Sequence, residues 1–243
     1  MKKTLLLSIG LISSTYQKED LNTNKSIVDI NPNPLIKKDF VDTANKVNLS
    51  LPPIPNGYTK YKIENVGSIY ISNDMELQDG FYAKIVNTQM EKYYHIPTEN
   101  RIVFQQKGLN EFSKDSYSSY CRIIIETEYG DFSPLTPHLN ISVEELRETS
   151  KYIEKELRKS MKGTQLKLIN YLGTGFININ RQSGLKTSYT RQLNNNPPVK
   201  VDTYIFQNKD RIHRITLSYR IEEAIQWKDK LQQSIQSLKL TKQ

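Results

Sequence analysis

The sequence has very few of the residues that carry thiol or metal chemistry. Cys121 is the one cysteine among 243 residues, so no disulfide can form within the chain. Stability therefore has to come from the packing of apolar side chains. Ile123 and Ile125 alternate with Cys121, a pattern that predicts a buried strand face and a structural thiol.

Histidines are also scarce. His95, His138 and His213 have no partner at the spacing of a zinc site, so we predict neither a metal nor another cofactor. His213 is expected on the solvent face of the last strand. No Gly-x-Ser-x-Gly motif marks a serine nucleophile. Gly173-Thr174-Gly175 lacks the rest of a phosphate loop and is interpreted as a tight turn between two strands. The sequence therefore does not indicate an enzyme.

No N-terminal hydrophobic run is long enough to span a bilayer. The short apolar segment Thr4–Ile12 follows Lys2 and Lys3 and precedes the small residues Ser13-Ser14-Thr15. This order is typical of a cleaved secretory signal, so residues 1–15 are predicted to be a signal peptide. The mature protein is then expected to be exported, periplasmic or extracellular, with no integral membrane segment. The alternative is an uncleaved apolar N-terminus on a cytosolic protein.

Residues that interrupt helices and strands are concentrated in the segment that precedes the predicted domain. Residues 16–57 contain Asn31-Pro32-Asn33-Pro34 and Pro52-Pro53-Ile54-Pro55, and we interpret them as an extended linker with one weak helix at Ile36–Val47. Residues 58–240 are predicted to form a single globular domain. The apolar content of 37% is sufficient for one core.

The domain is predicted to combine strands with two helices. Ser142 and Glu145 have the spacing of a capping box, which predicts a helix over Ser142–Met161 with Gly163 as its C-terminal cap. Apolar residues recur at helical spacing over Ile221–Leu238. The predicted strands are Tyr61–Glu64, Ser68–Ser72, Phe81–Asn87, Arg101–Gln106, Tyr120–Glu128, Leu166–Tyr171, Gly175–Asn180, Leu185–Gln192, Val201–Gln207 and Arg211–Tyr219. The fold class is therefore α/β (α+β), an α/β/α sandwich with a mainly antiparallel sheet.

This order of elements resembles the Mog1/PsbP-like family. Strands lead to a mid-chain helix and a meander follows. The chain then turns at Gln207-Asn208-Lys209-Asp210, continues as Arg211–Tyr219, and closes with a helix that contains Trp227 and ends at Ser234-Ile235-Gln236-Ser237-Leu238. The resemblance covers Tyr58 to Leu240 and is one of pattern, without a site motif. It implies a non-catalytic domain that binds or assembles with a partner, and it carries over no functional residue.

Acidic residues are missing from part of the C-terminal third. Between Met161 and Gln243 there are 14 Lys and Arg against 5 Asp and Glu, and Lys162–Val201 contains no acidic residue. This basic run is either a solvated face or a surface for an anionic partner, with Lys186, Arg191 and Lys200 as candidate contacts. Strand alternation places Lys186 and Arg191 on opposite faces, which argues against a single patch.

A second candidate surface is aromatic. Tyr93, Tyr94 and His95 follow one another in the sequence and are interpreted either as edge packing or as a contact surface.

The sequence predicts an exported, non-catalytic binding or accessory domain with a macromolecular partner, in the first place a protein. Two alternatives stay open. One is a basic surface that binds an anionic polymer, either an acidic glycan or a nucleic acid, and the nucleic acid is disfavoured for an exported protein. The other is an enzyme whose site is assembled only in three dimensions.

Overall fold

The computed structural model describes residues 36–38, 54–94, 98–130, 132 and 142–241. The predicted signal peptide and most of the predicted linker lie outside the described residues. Within the described part, no helix has both the length and the apolar character needed to cross a membrane.

Strands in the described residues form two sheets. They are β1 Ile36–Lys38, β2 Tyr58–Ile63, β3 Gly67–Ser72, β4 Met75–Leu77, β5 Arg101–Gln106, β6 Cys121–Tyr129, β7 Leu166–Ile179, β8 Gln182–Leu193, β9 Val199–Asn208, β10 Arg211–Arg220 and β11 Lys239–Leu240. The main sheet has the order β4-β5-β6-β10-β9-β8-β7, and the small sheet has the order β1-β2-β3-β11. Every pair is antiparallel, which confirms the predicted sheet type.

Three helices accompany the sheets in the described part of the chain. They are α1 Gly80–Tyr94, α2 Val143–Met161 and α3 Ala224–Gln236, with short 3-10 turns at Lys114–Ser118 and Ile221–Glu223. The helix predicted from Ile36 is wrong at its start, because Ile36–Lys38 is a strand that pairs with Tyr61–Ile63. Pairing with β2 outweighs the weak local preference of this short segment for a helix.

The strand predicted at Phe81–Asn87 is also wrong, because the segment is the first half of α1. A short apolar run satisfies strand and helix periodicity equally well. Tyr82, Val86 and Met90 are spaced by four residues and are half-buried, whereas Phe81 is 66% exposed. Residues 83–85 and 87 are half-buried as well, so burial in this segment does not show the alternation expected of a strand.

Helix α2 packs on one face of the main sheet, which we call the α2 face. The backbone N–H of Glu145 donates to Ser142 Oγ at 3.1 Å, and the N–H of Ser142 donates to Glu145 Oε2 at 2.9 Å, so the predicted capping box is confirmed. Gly163 follows the C-cap residue Lys162 with a φ of 80°, as expected of a helix end. The buried residues of this layer are Ile153, Leu157, Met161, Leu185, Tyr189 and Val201.

Helix α3 and the small sheet cover the opposite face, the α3 face. The larger core cluster joins Trp227, Leu231 and Ile235 of α3 to Ile69 of β3 and Ile215 of β10. The prediction that the helices Ser142–Met161 and Ile221–Leu238 pack on an antiparallel sheet is confirmed, but Val143 and Ile225, which the helical spacing placed on the packed side, are exposed.

The turn predicted at Gly173-Thr174-Gly175 is wrong. The strands predicted on either side of it are one strand, β7, which pairs with β8 along its length. The register shifts between Leu168 and Asn170 and again between Tyr171 and Gly173, where Gly173 has a φ of 110°. The freedom of this glycine therefore serves a bulge inside the strand and not a reversal of the chain.

His213 is 0% exposed, so its predicted position on a solvent face is wrong. It lies on the α3 face of β10, in the same alternation as Ile215 and Leu217. Its neighbour Ile212 on the α2 face is also buried. Both faces of β10 are covered at this point, so the alternation of side chains does not distinguish an exposed face from a buried one. Cys121 is buried as predicted.

Candidate anion-binding patch

Polar side chains from several strands collect on the α2 face of the main sheet. Residues directly opposite each other in an antiparallel sheet share one face. Leu185 and Tyr189 of β8 belong to the layer that packs against α2. The residues directly opposite them on β9, and in turn those on β10, β6 and β5, therefore lie on the α2 face. The three cross-strand rows are Arg101-Glu126-Arg214-Ile205, Val103-Ile124-Thr216-Thr203 and Gln105-Arg122-Ser218-Val201.

We call this surface the arginine patch. Its members are Arg101, Arg122, Arg191, Arg214, Tyr120, Thr203, Thr216 and Ser218, with Glu126 and Glu128 as its carboxylates. Arg101 and Arg214 contact Glu126, whereas Arg122 Nη1 donates to Gln106 Oε1 and to the carbonyl oxygen of Cys121. Most of these residues are half-buried, and Ser218 is fully buried.

The first row alternates positive and negative charge. Arg101 Nε lies 3.8 Å from Glu126 Oε1, and Arg214 Nη1 lies 3.5 Å from Glu126 Oε2. The side chain of Arg101 is only 11% exposed, and its Nε and Nη1 have no hydrogen-bond acceptor. Burial lowers the pKa of the Arg101 guanidinium by more than the charge of Glu126 raises it. One carboxylate thus serves two guanidinium groups and leaves donors of Arg101 unsatisfied.

The other end of the patch surrounds the hydroxyl of Tyr120. This hydroxyl and Ser218 Oγ are 3.3 Å apart, and the Arg122 guanidinium lies 5.3 Å from the centroid of the Tyr120 ring. Arg191 hydrogen-bonds the same hydroxyl. Burial would raise the pKa of Tyr120, but the charges of Arg191 and Arg122 and the hydrogen bonds outweigh it and lower the pKa. The local field therefore favours an oxygen that carries negative charge.

Hydroxyl groups lie between the two charged ends. Thr203 Oγ1 and Thr216 Oγ1 are 3.4 Å apart in the middle row. At the edge, burial raises the pKa of Glu128, while Arg214 opposes the shift. The patch thus combines guanidinium forks with hydroxyl donors, the groups that bind carboxylate and phosphate oxygens in proteins.

The structure divides the basic residues predicted from the sequence. Lys186 and Lys200 lie together on the α3 face, with Nζ atoms 3.2 and 3.1 Å from the two carboxylate oxygens of Asp202. Ser188 Oγ also donates to Asp202 Oδ1, at 2.6 Å. Arg191 lies on the opposite face in the arginine patch. The predicted alternation of Lys186 and Arg191 is therefore confirmed, and the two lysines share one carboxylate, which balances one of their two charges.

The aromatic candidate surface is only partly described. Tyr93 and Tyr94 are the last residues of α1, and nothing is described of their side chains. His95 lies outside the described residues.

Sequence reasoning missed most of the arginine patch. Arg101, Arg122, Arg214 and Tyr120 lie in or beside strands whose neighbours are apolar, and none belongs to the acid-free run. The one feature of the sequence that could have indicated the patch is a charged residue within an otherwise apolar strand, as in Arg122 before Ile123-Ile124-Ile125. That signal does not show which strands will be neighbours.

Cys121 and His213 offer no accessible reactive group, since both are 0% exposed. Burial raises the pKa of the Cys121 thiol and lowers the pKa of His213 to about 4. Among the residues that the structure describes, no three His, Cys, Asp or Glu side chains are grouped so that they could hold a metal ion. Both residues are therefore parts of the core.

Comparison with solved structures finds similar folds at low sequence identity. The chain is similar to cyanobacterial PsbP (CyanoP) from Synechocystis, with 12% identity, a TM-score of 0.46, and coverage of 82% of this chain and 99% of that one. A protein of unknown function from Pseudomonas aeruginosa matches with 12% identity, a TM-score of 0.37, and coverage of 77% and 100%. A protein from Bacteroides thetaiotaomicron matches with 10% identity, a TM-score of 0.37, and coverage of 72% and 45%.

The order of elements predicted a Mog1/PsbP-like resemblance, and a PsbP is among these similar structures. No protein-family model matches the sequence, and no curated protein matches it. These likenesses concern the fold alone.

Proposed function

We propose that the protein is a non-catalytic binding domain that holds an acidic segment of a protein partner on the arginine patch. The observation that carries the proposal is the convergence of four guanidinium groups on one sheet face, where Arg101 has buried donors without an acceptor. An arginine fork binds a carboxylate through two parallel hydrogen bonds. The lowered pKa of Tyr120 supports a field that stabilises an anionic oxygen at this position.

The composition of the patch favours a protein over a nucleic acid. Glu126 and Glu128 lie on its floor, where they would repel the closely spaced phosphates of a polymer. Single-stranded nucleic acids also bind to exposed aromatic rings, and Tyr189 beside the patch is buried. A peptide can place separate carboxylates over Arg122 and Arg191 at one end and over Arg101 and Arg214 at the other.

The test is binding of a fluorescent polyglutamate peptide, measured by anisotropy at several salt concentrations. Arg122→Gln with Arg191→Gln removes the two guanidinium groups beside Tyr120. We expect a loss of about tenfold per arginine, because a charge-assisted hydrogen bond contributes about 1.5–3 kcal/mol and about 1.4 kcal/mol changes affinity tenfold. The dependence on salt should also become shallower.

The matched control is Lys167→Gln with Lys209→Gln, which removes the same charge at two exposed positions outside the patch. This pair should bind within about twofold of the parent, since exposed substitutions contribute little. Equal losses of affinity in both pairs of variants would show that binding depends on net charge alone, which would contradict the proposal. A heparin fragment that binds where the peptide does not would favour an acidic glycan instead. Unfolding curves of each variant exclude loss of the fold as the cause.

A further inference from the structure

Glu126 lies between two arginines in the first cross-strand row of the arginine patch. It is directly opposite Arg101 of β5 and directly opposite Arg214 of β10. Opposite charges in such cross-strand positions attract each other. A ligand carboxylate that binds to either arginine therefore has to compete with the carboxylate of Glu126 for the same guanidinium donors.

The contacts that hold Glu126 are long. Its Oε1 lies 3.8 Å from Arg101 Nε, and Arg214 Nη1 donates to its Oε2 at 3.5 Å. Hydrogen bonds between guanidinium and carboxylate groups are usually about 2.7–2.9 Å long. On the other face of the sheet, the carboxylate of Asp202 accepts from Ser188 Oγ at 2.6 Å. The carboxylate of Glu126 is therefore held more loosely than that of Asp202.

Arg101 keeps donors that Glu126 does not satisfy. Its Nε and Nη1 are buried and have no acceptor. A buried donor without an acceptor costs free energy, because it loses its hydrogen bonds to water. The side chain of Arg101 is 11% exposed and that of Glu126 is 33% exposed, so an incoming carboxylate reaches Glu126 first. A carboxylate that takes the place of Glu126 can form with Arg101 the two parallel hydrogen bonds that are missing.

We propose that Glu126 is an internal competitor that occupies Arg101 and Arg214 until a carboxylate of the acidic ligand displaces it. This inference rests on the proposed function of the patch. Displacement at this end exchanges one carboxylate for another, so a single carboxylate gains little from it. A ligand that also contacts Arg122 and Arg191 gains enough to displace Glu126. The competition therefore makes stable binding at this end depend on an acidic segment that reaches both ends of the patch.

The test is the affinity of the fluorescent polyglutamate peptide for Glu126→Gln, a change that removes the charge and keeps the shape of the side chain. We expect the affinity to rise about tenfold, because like charges that face each other in an interface are strongly unfavourable. The matched control is Glu148→Gln, which removes the same charge at an exposed position of α2 outside the patch. This control should bind within about twofold of the parent. In an Arg214→Gln background the gain from Glu126→Gln should be smaller, because one of the two contested guanidinium groups is absent.

A second measurement uses the parent protein, and it decides the question if Glu126→Gln does not fold. The Nε–H resonance of Arg101 is assigned in the NMR spectrum of the parent by its absence from the spectrum of Arg101→Lys. Saturating polyglutamate should shift this resonance, because the N–H gains an acceptor. The Nε–H of Arg158 is an internal control, since it already donates to Glu154 Oε1 at 3.0 Å on α2 and should not shift.

The outcomes separate this inference from the proposed function. If the peptide binds the parent and Glu126→Gln brings no gain in affinity, the internal competitor is overturned and the proposed function stands. An equal gain in Glu148→Gln also overturns the competitor, because the effect is then one of net charge. An Arg101 resonance that does not move at saturating peptide overturns it as well. If neither the parent nor Glu126→Gln binds the peptide, the proposed function and this inference fail together.

Discussion

At the scale of single residues, His213 shows how a fold sets the chemistry of a side chain. Its Nδ1 is hydrogen bonded to Thr127 Oγ1 at 3.0 Å, and its Nε2 is buried without a partner. Burial, together with the charge of Arg211, lowers the pKa of His213 to about 4, and Asp210 opposes the shift. The imidazole is therefore held neutral in the core, although it stands in a strand that also carries arginines.

This burial predicts a pH dependence of stability. A histidine in the unfolded chain has a pKa of about 6.5, so below that pH the unfolded state binds the proton more readily than the folded state. The stabilising effect of the neutral imidazole is complete above about pH 6.5 and is lost as the pH falls toward 4. We expect a loss of about 2 kcal/mol between pH 7 and pH 5 from this residue.

Denaturant unfolding at pH 7 and pH 5 measures that loss. His213→Gln keeps a polar side chain that can bond Thr127 but does not titrate in this range, so its free energy of unfolding should change less between the two pH values. A parent and variant with the same pH dependence would show that the histidine is protonated equally in both states.

At the scale of elements, α3 joins the two sheets. Its buried residues Trp227, Leu231 and Ile235 pack in the same cluster as residues of the small sheet and of the main sheet. The helix end is tied to β3 by the Ser237 hydroxyl, which accepts from the N–H of Tyr70 at 2.7 Å. Loss of α3 would therefore expose both sheets and not only one.

Leu231→Asp should destabilise the whole domain. The change puts a carboxylate with no partner into a site that is 2% exposed, and burying an unpaired polar group costs about 2–7 kcal/mol. Ile225→Asp is the matched control, since it makes a similar change on the exposed side of the same helix and should stay within about 0.5 kcal/mol. Thermal or denaturant unfolding separates them. Equal stability of the two variants would mean that α3 is not part of the core.

At the scale of the whole molecule, the main sheet separates two kinds of charged surface. On the α3 face, Lys186 and Lys200 are paired with Asp202. Burial raises the pKa of Asp202, but the hydrogen bond from Ser188 and the charges of the two lysines outweigh it and lower the pKa. On the α2 face, Arg101 and Arg214 share Glu126. The ratio of these cations to carboxylates is two to one on both faces, and the buried donors of Arg101 that lack an acceptor are the reason to expect the binding site on the α2 face.

We also propose that the molecule acts after export. The basic residues, apolar core and small residues before Tyr16 support a signal that is cleaved between Ser13 and Gln17. Intact mass and N-terminal sequencing of protein recovered outside the cytoplasm measure the cleavage point. Recovery there with Met1 in place would contradict cleavage, and retention in the cytoplasm would contradict export.

The sequence by itself determined the local elements whose signals lie within a few residues. The bounds of Arg101–Gln106 agree with β5, the capping box at Ser142 starts α2, and the closing hairpin and helix are where the pattern places them. The antiparallel sheet with helices on both faces follows from those elements, because an apolar stripe has to be covered.

Tertiary structure decided the rest. The apolar run at Phe81 became a helix, the two strands around Gly173 became one, and His213 became buried because the packing of other elements covers both faces of β10. The arginine patch depends on the pairing of β6 with β10, which no local period encodes. The alternation along a strand determines which of its side chains share a face. The order of strands in the sheet determines which side chains of different strands become neighbours.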